Sequence, residues 1–154
     1  MIESDRYEDN YPPTPTPRLT HWARVLYQAG ILALAGGIAL QVFLAGAGAL
    51  VHPRYWIVHR TFGHYVEYLA IALFLVGVVG RLPWRFQGLN GLMIGLFFMQ
   101  YVFLYVMPAI GAPLLRALHA VNALGMFWLA VTLRRWAKRW AHEPVRRPIQ
   151  ARAR

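Results

Sequence analysis

Four long apolar runs separated by short polar turns set the pattern of the chain. The first lies between Arg24 and His52 and carries no ionisable group except the Tyr27 phenol. The second lies between Arg60 and Arg81, where Glu67 is the only formal charge. The third extends from Arg85 to Arg116 without a formal charge, and Pro108 and Pro113 mark the end of its helix near Met107. The fourth lies between Arg116 and Arg134. An α-helix needs ~20 apolar residues to cross ~30 Å of hydrocarbon, and each run approaches or exceeds that length. The pattern predicts helices over about 24–51, 57–80, 87–107 and 113–134. The connections RLPWRF and PAIGAP are short, which makes neighbouring helices antiparallel. The expected fold is all-α: an integral membrane, up-and-down four-helix bundle over residues 21–135.

Composition sharpens this reading. The 154 residues suit one domain. Hydrophobic residues make up 58% and charged residues 14%, against roughly 45–50% and about 25% in soluble chains. The net charge of +10 does not point to nucleic acid, because the basic residues sit at the ends of apolar runs instead of on one solvated face. With no cysteine, disulfides, thiolate metal sites, iron–sulfur clusters and covalent CxxCH haem attachment are excluded.

The flanks set an expected orientation. Residues 1–20 form an acidic, Pro-rich arm with no apolar periodicity and read as disordered. The arm has no signal-peptide core, so the first apolar run is expected to be retained as an anchor. Residues 136–154 read as a basic tail, either a stop-transfer flank or a segment lying on anionic lipid. With the N-terminus inside, thirteen of the sixteen Lys and Arg residues fall on the inner side and only Arg54, Arg60 and Arg116 outside. The positive-inside rule then places both termini in the cytoplasm of a cell whose inner membrane holds the protein. Trp22, Trp84, Trp136 and Trp140 inside, with Tyr55 and Trp56 outside, are expected interface anchors.

Polar residues inside the runs are costly in hydrocarbon, so their level is informative. Gln41 lies towards the outer end of helix one; His59, Arg60, His64 and Glu67 occupy the outer part of helix two. Gln100 lies in the outer half of helix three, and Arg116, His119 and Asn122 open helix four. All four helices thus place polar groups in one outer layer, which suggests a site. Helices two and four are commonly diagonal in such a bundle, so imidazoles on them would face each other and hold a haem iron axially. Arg60 and Arg116 would then meet the propionates. His59 and His64, five residues apart, point about 140° from each other, so only one faces the axis with His119. Gly63, one turn below His59, leaves room for a flat macrocycle, which favours His59 with His119; His64 remains the alternate ligand. The competing readings are solvation for the histidines near turns, helix-to-helix hydrogen bonding for His119, packing for the glycines, and local pairing of Glu67 with Arg60 or His64.

HRTFGH in helix two, LRALHAVNAL in helix four and QVFLAGAGAL in helix one together resemble a family of small bacterial four-span membrane proteins without an assigned function, over about residues 22–135. HRTFG also resembles the HRxxG stretch of haem A synthase, whose halves are four-helix bundles. That resemblance implies a haem-ligating histidine on helix two, here His59, and a partner on helix four, here His119. The chain corresponds to one such half, so the synthase reaction would require a dimer.

Three functions compete. The first is a b-type haem protein that transfers electrons, with His59, His119, Arg60, His64, Gly63, Arg116, Gln41, Gln100 and Asn122 around the haem. The second is an accessory subunit of a respiratory or photosynthetic membrane complex, carrying no cofactor or a chlorophyll-type pigment. The third is a small transporter or quinone-site protein that uses Glu67 and Gln100 as proton-coupled groups. The expected partners are the lipid bilayer and either other membrane subunits or a second copy in a homodimer.

Overall fold

Each apolar run is a helix. A computed structural model describes residues 17–140. Helix α1 is Arg18–Leu50, α2 is Tyr55–Val79, α3 is Trp84–Ala109 and α4 is Pro113–Trp140. Among the described residues there is no strand. Their 33, 25, 26 and 28 residues all exceed the ~20 that a membrane crossing requires. The chain therefore reads as a multi-pass membrane protein.

Prolines set the starts. Pro17 (φ −52°, ψ 137°) and Pro83 (φ −54°, ψ 141°) are extended, and their carbonyls accept the first helical N–H groups of α1 and α3. Pro113 opens α4, where its missing N–H leaves no donor unsatisfied. Helix α1 therefore begins at Arg18, ahead of the start near residue 24 that the hydropathy predicts. Arg24 looks like a flank in the sequence but is 4% exposed inside the bundle. At the other end α4 runs on through the basic stretch to Trp140. The expected arm up to residue 16 and the tail from residue 141 lie outside the described residues.

Two helix ends close with the left-handed residue that such stops require. Arg81 (φ 56°) ends α2, with the Leu82 N–H returning to the Gly77 carbonyl at 2.8 Å. Gly111 (φ 83°) ends α3, with the Ala112 N–H on the Met107 carbonyl at 2.9 Å. Just before this, residues Val102–Val106 widen into a π-helical turn, and the Met107 N–H reaches back five residues to Val102. Pro108 accounts for it: it has no N–H for the Leu104 carbonyl, and its ring would collide with that group in a regular helix.

The helices form a ring. Helix α1 packs on α2 and α4, and α3 packs on α2 and α4; across the two diagonals no Cα atoms approach within 8 Å. One end carries the α1–α2 and α3–α4 turns (the hairpin end); the other carries the α2–α3 turn and the outer ends of α1 and α4 (the terminal end). Tight packing is concentrated towards the terminal end, around Tyr27, Ile31, Leu34, Leu73, Met93 and Leu133. No residue of α4 before Met126, and none of α2 before Val66, is buried. Gly30 permits part of this closeness, since a Cβ there would lie 2.5 Å from Leu73 Cδ2.

Polar pairs inside the core tie the ring together. Tyr27 donates its hydroxyl to Asn90 Oδ1 at 2.8 Å, and both residues are buried. Tyr27→Phe leaves that oxygen unpaired. A double-mutant cycle with Asn90→Leu, read by unfolding in detergent, should give a coupling of about 0.5–1.7 kcal/mol, the range of buried hydrogen bonds between membrane helices. Coupling near zero would show that the pair does not hold α1 to α3.

Candidate functional site

The hairpin half of the bundle gathers the polar residues into two clusters on opposite sides of the α2 and α3 backbones. In the first, His59 on α2 faces His119 on α4 across a diagonal, with ring centres 6.3 Å apart and planes at 65°. Both are half-buried. His59 is held by a reciprocal pair with α1: its Nδ1 lies 3.0 Å from the Gln41 carbonyl, and the Gln41 amide donates to the His59 carbonyl at 2.9 Å. With Nδ1 donating, the imidazole tautomer leaves Nε2 with a free lone pair. Trp56 meets the His59 ring edge-on at 5.6 Å. Its indole lies over Gly48, where a Cβ would come within 2.9 Å of it.

Gly63 acts through this pair. A Cβ at Gly63 would stand 2.6 Å from Gln41 Nε2. The space expected to admit a macrocycle is thus filled by the Gln41 amide, which Gly63 allows to lie against α2.

The opposite wall is less complete. His119 meets the backbone carbonyl of Gln100. Its Nδ1 is buried without a hydrogen-bond partner, as are Gln100 Oε1 and Gln41 Oε1. Asn122 donates to the Leu96 carbonyl at 2.8 Å and touches Met126 Sδ at 3.8 Å, locking α4 to α3 below His119. Three buried polar atoms able to accept a hydrogen bond thus lie in the hairpin half without a protein partner. Arg60 and Arg116 are exposed at the hairpin end, above the layer.

The second cluster lies on the outward face of α2 and α3. Tyr101 donates to Glu67 Oε2 at 2.6 Å, and its hydroxyl lies 3.3 Å from His64 Nδ1. His64 Nδ1 is 3.8 Å from Glu67 Oε2. Thus His64 turns away from His119, as its 140° offset from His59 requires, and Glu67 pairs with His64 and Tyr101. Hydropathy overlooks Tyr101, which counts there as one more aromatic in an apolar run. The signal available was its position beside Gln100, at the level of Glu67 on an antiparallel neighbour. Among the described residues no three His, Cys, Asp or Glu side chains converge as a metal site.

The fold and the layer define a small four-helix protein with helices long and apolar enough to span a membrane, polarised towards the hairpin end. The family described as "Family of unknown function (DUF6220)" matches residues 41–107. That segment begins at Gln41 and carries both clusters except Arg116, His119 and Asn122. No curated protein matches, and no solved structure matches.

If the Gln41 amide is what a side chain at 63 would meet, Gly63→Ala should cost about 1–3 kcal/mol, as overpacking does. Adding Gln41→Ala should recover part of that loss, measured as the thermal midpoint by circular dichroism. Strictly additive losses would place the clash elsewhere.

Proposed function

We propose that the hairpin half of the bundle binds one b-type haem between His59 and His119, and that the protein is a small electron-transfer component of a cell membrane. The observation that carries this reading is the facing of the two imidazoles across the α2–α4 diagonal. With metal–imidazole bonds of ~2.0–2.1 Å on either side, two rings sharing one ion have centres roughly 6 Å apart, and the separation here is 6.3 Å. A haem iron takes only two ligands from the protein, so a histidine pair without a third metal-ligating side chain suits it.

The chain's own residues supply the rest. The Gln41 carbonyl fixes the His59 ring and directs Nε2 as the ligand atom, the usual service of a carbonyl behind a ligating histidine. His119 contributes a buried nitrogen that nothing else satisfies. The free amide oxygens of Gln41 and Gln100 accept hydrogen bonds from water or from the group bound between them. Gly63 serves by seating Gln41 and Asn122 by fixing α4, whereas His64, which meets Tyr101 and Glu67 on the outward face, takes no part in the ligation. Arg60 and Arg116 stand where propionates at the rim would pair with them. The bound haem would supply a one-electron iron couple. The likeness of HRTFG to the haem-ligating stretch of haem A synthase supports the choice of His59.

Orientation belongs to the same proposal. Among the described residues Arg18, Arg24, Arg81, Arg85, Arg134, Arg135, Lys138 and Arg139 lie at the terminal end, against Arg54, Arg60 and Arg116 at the hairpin end, so the terminal end faces the cytoplasm and the haem lies towards the outer leaflet.

Two measurements test this. Protein purified from its native host should show a low-spin bis-histidine spectrum in the reduced-minus-oxidised difference. His59→Ala and His119→Ala should each lose haem or turn high-spin, and His64→Ala should stay low-spin; wild type without haem, or loss only in His64→Ala, would overturn the assignment. For orientation, single cysteines placed between Pro53 and Trp56 should react with an impermeant thiol reagent added outside intact cells. Reaction only in inverted vesicles would reverse the topology.

A further inference from the structure

The outward cluster of α2 and α3 is not used by the haem reading and does not depend on it. Glu67, Tyr101 and His64 are joined by the 2.6, 3.3 and 3.8 Å contacts already given. The group faces away from the bundle axis: the His64 side chain is 56% exposed, and Tyr68 and Tyr105 beside it are exposed. Glu67 lies twelve residues into α2, ~18 Å along the helix at 1.5 Å per residue. In a hydrocarbon layer of ~30 Å that is close to the midplane, so the exposure is to lipid. Ionisable groups at that depth are costly and normally face a protein interior or a cavity. Here two acceptors remain open, since Glu67 Oε1 and His64 Nε2 carry no hydrogen bond among the described residues.

The surface beside them is flat and aromatic. Tyr101 and Tyr105, one turn apart along α3, stack with ring centres 6.4 Å apart and planes within 16°. A ligand for this place must reach it through hydrocarbon, offer a hydroxyl to a carboxylate and present a planar ring. Phospholipid head groups and single-hydroxyl amphiphiles are held at the interface, and a fatty acid would bring a second carboxylate against Glu67.

We propose that Glu67, His64 and Tyr101 form a binding site for a membrane-dissolved hydroquinone. One ring hydroxyl donates to Glu67 Oε1, the ring lies on the Tyr101–Tyr105 wall, and the prenyl tail stays in the lipid. Tyr101 is a positioning residue: its hydroxyl holds the other carboxylate oxygen and so aims Oε1 outwards. Glu67 Oε1 and His64 Nε2 are both placed to accept, so the site prefers the hydroquinone, which donates, to the corresponding quinone.

The test uses full-length protein in phosphatidylcholine nanodiscs, with decylubiquinol and decylubiquinone competing against an azidoquinone photolabel. The label should map to α2 around residues 64–68 and α3 around residues 101–105. Decylubiquinol should displace it at least tenfold more effectively than decylubiquinone. Glu67→Gln should abolish that preference, because its amide donates to a quinone carbonyl, while Tyr101→Phe should weaken quinol several-fold and leave the thermal midpoint near wild type. Should Glu67→Gln fail to fold, Tyr101→Phe carries the comparison. Labelling spread evenly over all four helices, or an unchanged preference in the variants, would overturn the proposal. So would a Tyr68→Cys chain that cross-links efficiently to a second copy or another subunit and takes no label, since protein would then cover the cluster.

Discussion

The ring of helices depends on one buried cation. Arg24 sends Nε to the Gly80 carbonyl at 3.2 Å and Nη1 to the Trp140 carbonyl at 3.4 Å, and its guanidinium lies 4.5 Å over the Trp140 ring. Gly80 caps α2, so its carbonyl is at the negative end of that helix dipole, where a cation is favoured. Trp140 lies against Gly80, where a Cβ would be 2.9 Å from the indole, and meets Tyr27 edge-on at 6.2 Å. A guanidinium is bearable at this depth only with its donors engaged, so α1, α2 and α4 must meet at this point in this rotation. Trp140, which reads as an interface anchor in the sequence, is instead a 4%-exposed part of that joint.

From this joint the bundle changes character along its length. The terminal half closes on aliphatic side chains and the Tyr27–Asn90 bond. The hairpin half replaces that packing with amides and imidazoles whose hydrogen bonding is incomplete. Gln41 links the halves, since it follows the buried face of α1 that Arg24 orients and clips His59 on α2. A rigid end that fixes helix rotation and a polar end that leaves acceptors unpaired are what a preorganised binding layer requires. Reorganising it would mean breaking the reciprocal Gln41–His59 contacts.

Pro108 shapes the other face. It widens the turn at Val102–Val106 in α3, on which Tyr105 stacks against Tyr101. Gln100 and Tyr101, adjacent in sequence, serve different clusters: Gln100 meets His119 through its backbone carbonyl, and Tyr101 turns its hydroxyl to Glu67 and His64. One group opens to the bundle axis and the other to the outer surface of the ring of helices.

The sequence alone determined the number, order and approximate limits of the helices, because a run of ~20 apolar residues has few other stable forms and prolines mark where helices start and stop. It also determined the level of the polar residues, since short turns fix how far along an antiparallel partner each residue lies. Even the divergence of His59 from His64 follows from helical geometry. Only the tertiary structure decided which residues meet. Arg24 reads as a flank until two helix ends converge on it, Gly63 reads as open space until Gln41 fills it, and Tyr101 reads as an apolar aromatic until Glu67 comes within 2.6 Å. Periodicity gives the angle between two side chains on one helix, but the rotation of that helix against its neighbours is set by packing contacts between residues distant in sequence.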